Sequence, residues 1–431
     1  MKDCMGLALT GATTSSLIAF EGARDEFRCF IGDPVASLDA ALAASPGMTM
    51  AHLFKAWLNL LGTEPGGLAV ARECIAQAGK LSANDRERRH LHALRLLAAG
   101  QWQDAGRALE DLSLLYPHDL LALQAGHQID FFTGDARMLR DRAARALPAW
   151  SRSMPGYHAV LSMNAFGLEE TGDYAQAESL GRQSLEIEPR DGWAWHAVAH
   201  VLEMKNQARR GVEWLEPNAA VWSEGSFFAV HNWWHLALFQ LELGNTGEVL
   251  RLYDEAIGGP GSSVVLDMID QSAMLWRLQL RGIDVGERWD ALAIRWAAVA
   301  EPGLYAFNDM HAMMAFAAAG RLAQQQDLME KLTDAMERGD SNARFTHDVG
   351  YAAARAMQCF VAGDYGRCTD LLRGVRNIAS RFGGSHAQRD VLDITLLEAA
   401  RRAGNEPLAA ALAGERARAR PYTAPKLALA A

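Results

Sequence analysis

The chain has 431 residues, 42 Lys and Arg against 52 Asp and Glu, a net charge of −10 and 50% hydrophobic residues. This is the composition of a soluble globular protein, and it excludes a disordered or fibrous chain. A pI near 5.7 argues against nucleic acid or an anionic membrane as partner, since both call for a basic face.

From the N-terminus, the uncharged stretch Cys4 to Phe20 is too weakly apolar for a secretory signal. Its longest compact apolar run is Met5 to Leu9, Asp3 spoils a basic start, and no small-residue cleavage site closes it. Further along, nothing approaches the roughly 18 to 20 apolar residues of a membrane helix. Five scattered cysteines (Cys4, Cys29, Cys74, Cys359, Cys368) form no CxxC pair, and an odd, unspaced set reads as reduced thiols. The expectation is a cytoplasmic protein without a membrane partner.

Strand signals are nearly absent, whereas Ala- and Leu-rich segments with apolar residues at i, i+3, i+4 and i+7 fill the chain. Residues 1–45 are expected to form an N-terminal helical cap. After it, helical runs end repeatedly in Gly, often followed by Asp or an aromatic, as at Gly100-Gln101-Trp102, Gly134-Asp135, Gly172-Asp173-Tyr174 and Gly363-Asp364-Tyr365. With Gly62, Gly244, Gly282, Gly320, Gly404 and a Gly-less equivalent at Asn206, ten turns are separated by 38, 34, 38, 34, 38, 38, 38, 43 and 41 residues. A period of that size means stacked helical hairpins, each with a first helix A before the turn and a second helix B after it. The expected fold is therefore all-α, a tetratricopeptide-like (TPR-like) superhelix of about ten hairpins over residues 1–414, strongly curved around a concave pocket lined by A helices. Gly258 to Ser263 is the most flexible interior connection, suited to cover the mouth of a cavity, and 415–431 is expected to be a flexible basic tail.

Of the 13 histidines, twelve fall in A segments: His52, His90, His92, His127, His158, His196, His200, His231, His235, His311, His347 and His386. His118 sits in a loop. Imidazoles gathered along one wall are costly unless they bind, titrate or pair. Two pairs stand out. His196 and His200 are spaced i, i+4 with Glu203 on the same face, and His231 and His235 repeat the spacing in the next A helix around Asn232 and Trp234. These four histidines are the ligand set for any bound Zn or Fe. With Glu203 and His311 they are also the candidates for acid–base catalysis. Against metal, no Glu stands between paired histidines as in HExxH, and no second ExxH accompanies Glu87 to His90. Polar residues expected to line the pocket beside them are Asp130, His158, Asp270, Arg277, Asn308, Asp309, His347 and Arg389. Nine of the twelve tryptophans lie between Trp193 and Trp296. Most are expected to pack hairpins, while Trp234 faces a ligand. No nucleophile elbow, Walker loop or dinucleotide fingerprint is present, so no nucleotide or other cofactor is expected.

The phrases Asp3-Cys4-x-Gly6-Leu7, Ala165 to Gly172, His196-Ala197-Val198-Ala199-His200-Val201-x-Glu203-Met204, His231-Asn232-x-Trp234-His235, Phe307-Asn308-Asp309-x-His311 and Gly383 to Asp390 together resemble the family of tetratricopeptide-repeat protein thirty-eight. The resemblance covers almost the whole chain. It implies a helical-repeat fold and carries no assigned catalytic residue. The expected function is binding of a small or peptide-like polar ligand in the His-, Trp- and Asp-lined pocket. The alternatives are an enzyme using that pocket for acid–base or metal-assisted hydrolysis or elimination, and a non-catalytic scaffold that takes a partner peptide in its groove. A homodimer is left open.

Overall fold

A computed structural model describes residues 1–259 and 261–419. Two helices, α1 (Thr14–Cys29) and α2 (Pro34–Ala44), open the chain. Ten A/B hairpins follow: α3 (Thr49–Leu61) with α4 (Gly67–Ala78), α5 (Asp85–Ala98) with α6 (Trp102–Leu115), α7 (Leu120–Phe132) with α8 (Ala136–Ala146), α9 (Tyr157–Glu170) with α10 (Tyr174–Leu185), and α11 (Gly192–Met204) with α12 (Ala208–Leu215). The remainder are α13 (Ala229–Glu242) with α14 (Thr246–Leu252), α15 (Val265–Leu280) with α16 (Arg288–Val299), α17 (Ala306–Ala318) with α18 (Leu322–Met336), α19 (Tyr351–Val361) with α20 (Tyr365–Val375), and α21 (His386–Arg402) with α22 (Glu406–Ala419). Among the described residues there is no strand, only two isolated bridges, Lys2 to Ala8 and Ile31 to Ser226. The fold is all-α and TPR-like.

The local chemistry of the turns explains their regularity. The residue that ends each A helix must turn left-handed, which costs glycine nothing. At nine of the ten expected turns that residue has positive φ, from Gly100 (77°) to Gly404 (72°), and Asn206 takes the role without glycine at 52°. The first turn differs: Gly62 keeps a helical φ of −67° and Thr63 is left-handed at 51°. Where Asp follows the glycine, its carboxylate caps the next helix. Asp135 accepts from the Met138 N–H, Asp173 from Gln176 and Asp364 from Arg367, satisfying N–H groups that have no partner inside the helix.

The chain divides into two compact units, one of Met1–Val198 with Asn218–Asn232, the other of Ala199–Pro217 with Trp233 onward. Helices α11 and α13 each contribute residues to both. The first unit's core brings together Phe30, Leu123, Leu139, Trp150, Val160, Phe166 and Trp193. Its helices approach closely where a side chain is missing: a Cβ on Gly167 of α9 would lie 2.4 Å from the backbone N of Arg140 in α8. Gly167→Ala should therefore destabilise this unit by about 1–3 kcal/mol, because two backbones and not a flexible side chain must move. Unchanged denaturation would show that the helices can separate freely. In the second unit, Trp276 donates to Thr395 Oγ1 (2.9 Å) and Trp296 to Ser272 Oγ (3.0 Å), so both large side chains are buried with their N–H groups satisfied.

Two expected segments fall partly outside the described residues. Pro260, in the Gly258 to Ser263 connection, is one such residue. The other is the tail from 420 onward, and α22 itself continues to Ala419, past the array end expected at 414.

Candidate functional site

Eleven of the histidines assigned to A segments lie in A helices, and His347 lies in the π-helical turn Thr346–Gly350 that leads into α19. Their environments differ sharply.

In the first unit, His196 Nε2 and His231 Nε2 stand 3.1 Å apart. Trp193 (4.7 Å between ring centroids), Phe166 (5.1 Å) and Phe228 (5.3 Å) pack around His196. Two imidazole nitrogens at that separation cannot both present lone pairs to each other. Either one carries a proton and donates to the other, or a cation sits between them. Asn232, next to His231, donates to the Gly192 carbonyl at 3.2 Å, leaving its own buried Oδ1 without a hydrogen bond.

Four residues further along the same two helices, the second unit holds His200 and His235, both wholly buried, with ring centroids 4.6 Å apart and planes at 60°. Glu203 Oε2 lies 3.3 Å from His235 Nδ1. Trp234, also wholly buried, meets the His235 ring at 5.0 Å, and the Arg277 guanidinium lies over the Trp234 ring at 5.2 Å. Arg277 is held in place by donating to the carbonyls of Ala387 (2.7 Å) and Ala273 (3.2 Å). Asp270 is buried on the same helix as Arg277, two turns away, so both lie on one face of that helix.

His311 is buried in α17 and donates Nδ1–H to the Phe307 carbonyl at 2.8 Å. A carbonyl only accepts, so the tautomer is fixed and Nε2 carries a lone pair, which finds no donor among the described residues. Burial, with the Arg277 charge adding to it, pulls this imidazole down to about 4.

Other expected pocket residues are drawn into the framework. Asp130 is bound by Arg142 through two contacts of 2.7 and 2.9 Å, and burial raises it to about 6. His158 Nδ1 meets Asp191 Oδ2 at 2.9 Å, while Asp191 also accepts from Ser184 and from the N–H groups that open α11. Asp309 turns back to accept from the Gly303 N–H, and burial pushes it up to about 7. Asn308 is buried beside it. His347 is a surface residue, its side chain 76% exposed beside Asp348. Arg389 donates to the Gly384 carbonyl and lines a charged cleft of about 400 Å³ with His386, Arg376, Asp393 and Glu415. Sequence reading missed this cleft because the side chains that build it come from segments far apart in the chain, from Met204 on α11 to Glu415 on α22.

Two buried histidines and two buried aspartates oppose each other in acid. His127, lowered to about 3 by burial and then by Arg142, and His311 stay neutral in the fold well below the pH at which they titrate when unfolded. The unfolded chain then binds more protons, and stability falls as pH drops below about 6.5, by about 1.4 kcal/mol per pH unit per group. Asp309 and Asp130 are raised, so the folded chain binds the proton first and gains stability as pH falls through about 7 and about 6. Asp309→Asn should therefore be more stable than wild type at pH 8 and lose that advantage towards pH 5. A difference in melting temperature constant across this range would contradict the assignment.

No protein-family model matches the chain. Among solved structures, a human IFIT1 dimer with m7Gppp-AAAA is similar at 12% identity, over 94% of this chain and 94% of that one, with a TM-score of 0.45. The family of tetratricopeptide-repeat protein thirty-eight is not confirmed. No helix of the described residues is long and apolar enough to cross a membrane. The exclusion of nucleic acid drawn from the net charge is corrected, since the IFIT1 structure holds m7Gppp-AAAA. Taken together, the helices, turns and caps make this chain a TPR-like helical repeat protein.

Proposed function

We propose that this TPR-like protein binds a small or peptide-like polar ligand against the A helices of its second unit, with His200, Glu203, Trp234, His235, Arg277 and His311 as contacting groups. The observation that carries the reading is the complete burial of three imidazoles, His200, His235 and His311, on the A helices of one unit. Leucine would fill those positions at no desolvation cost, whereas each buried imidazole must recover one, so stacking alone does not account for them. Trp234 adds an aromatic face and Arg277 a fixed cation, the mix of apolar wall and few polar groups that small-molecule sites use. The test is an unbiased metabolite thermal-shift screen. A saturable rise in melting temperature supports the reading, while a screen without any rise, together with a protein partner that co-purifies, would give the scaffold reading the field.

The 3.1 Å between His196 Nε2 and His231 Nε2 favours a second reading, metal-assisted chemistry at that pair. Two nitrogens each about 2.1 Å from a tetrahedral zinc lie about 3.4 Å apart, close to the spacing of this pair. Zinc or iron co-purifying with wild type and lost in His196→Ala would support it. Metal-free protein would remove it.

A further inference from the structure

Three side chains of the second unit converge: His200 and Glu203 from α11, and His235 from α13. His200 and Glu203 are three residues apart, so the helix sets them on one face. Both histidines are wholly buried and Glu203 is 9% exposed. Glu203 Oε2 stands 3.3 Å from His235 Nδ1, and the two histidines offer ring nitrogens within 4.8 Å of each other.

The first of these distances sets the contact apart from the pairs that hold the framework. His90 meets Asp119, and His158 meets Asp191, at 2.9 Å, the length of a charge-assisted hydrogen bond. The His235 to Glu203 contact is longer than either. It equals the edge between two ligands that each lie about 2.0–2.1 Å from a tetrahedral zinc, which is about 3.3 Å. A buried ion pair offsets its lost hydration only when its geometry is close and well aligned, whereas ligands of a common ion are held at this spacing by their bonds to it. Charge points the same way. Among the described residues, the charged groups buried in this unit are Glu203, Asp270 and Asp309 on the acidic side and Arg277 alone on the basic side. Even with Asp309 drawn towards its neutral form by burial, acid exceeds base, and a low-dielectric site with that balance favours a cation.

We infer that His200, Glu203 and His235 hold one divalent transition-metal ion of the zinc class. Two imidazoles and a carboxylate are a ligand set of catalytic zinc, which keeps a fourth position for water or substrate. Imidazole donors select such ions over magnesium and calcium, which take oxygen. This ion is separate from one at the His196 and His231 pair, which belongs to the first unit. It also names a class for the proposed ligand, a step that rests on the reading of this wall as a ligand site: a molecule bearing a carboxylate, whose oxygen takes the fourth position and whose charge offsets the cation.

The test titrates chelator-stripped full-length protein with cobalt(II), whose visible absorption intensifies in tetrahedral coordination, and melts it with zinc or magnesium. The expected result is a tetrahedral cobalt band that zinc displaces, with a saturable rise in melting temperature from zinc and none from magnesium. Glu203→Gln keeps the side-chain volume and should weaken cobalt binding by about a hundredfold, and it remains informative if His235→Gln fails to fold. His196→Ala should retain the band. No tetrahedral band, a band unmoved by Glu203→Gln, or its loss in His196→Ala would overturn the inference. A ligand that shifts the stripped protein as far as the zinc-loaded one would overturn the ion and leave the ligand reading standing. Cobalt binding with no carboxylate ligand in the screen would support the ion and remove that reading.

Discussion

Asp119→Ala should lower the stability of the first unit by about 3–5 kcal/mol, the largest effect expected from a single side chain in this protein. Asp119 is 2% exposed and serves three partners at once. It accepts from Arg86 Nη1 at 2.7 Å, from His90 Nε2 at 2.9 Å and from the Ala122 N–H at 3.1 Å. Trp57 Nε1 donates to His90 Nδ1 at 3.1 Å, which leaves Nε2 as the protonated nitrogen and makes His90 the donor towards Asp119. Burial alone would raise this carboxyl, but His90 and Arg86 overrule it and hold it well below the usual carboxylate range. Its stabilisation is thus present above the ordinary aspartate pKa and is lost only in strong acid. Removing the carboxylate leaves the Arg86 charge buried, strips His90 of its acceptor and uncaps α7. Asp119→Asn retains an acceptor for the cap and should cost less. Denaturant unfolding monitored within the first unit measures both, and a wild-type midpoint for Asp119→Ala would refute the network's importance.

The second large effect concerns the proposed ligand. His235→Phe preserves ring volume in a wholly buried position and removes both nitrogens, so the ligand identified by a thermal-shift screen should bind about ten- to a hundredfold more weakly to it, the consequence of one buried polar contact left unpaired. His347→Ala should bind it like wild type, because that histidine stands at the surface beside Asp348. Calorimetric titration of both variants gives the comparison. Equal weakening in the two would mean that the ligand reads histidine content and not the buried pair.

Much of the fold was legible because the turn chemistry is local. Glycine followed by Asp marks a left-handed residue and then a cap, and the positive φ at Gly134 and Gly172 follows directly. The pairing of helices was legible too, since His196 with His231 and His200 with His235 meet one repeat apart. Illegible were the histidines whose partners belong to the framework. His90 is claimed by Asp119 and His158 by Asp191, residues 29 and 33 positions later, and spacing alone does not tell a ligand-facing imidazole from one tied to the next hairpin. The contact of Asp309 was hidden for a local reason: its carboxylate folds back onto Gly303, in the loop ahead of its own helix.

Hydrogen–deuterium exchange with and without a ligand found by the thermal-shift screen tests the central claim most directly. The account predicts added protection in α13 and α17 and in the second half of α11, around His200, His235 and His311, with α14, α16 and α18 unchanged. Protection confined to those B helices, or to the charged cleft around Arg376 and Glu415, would contradict it.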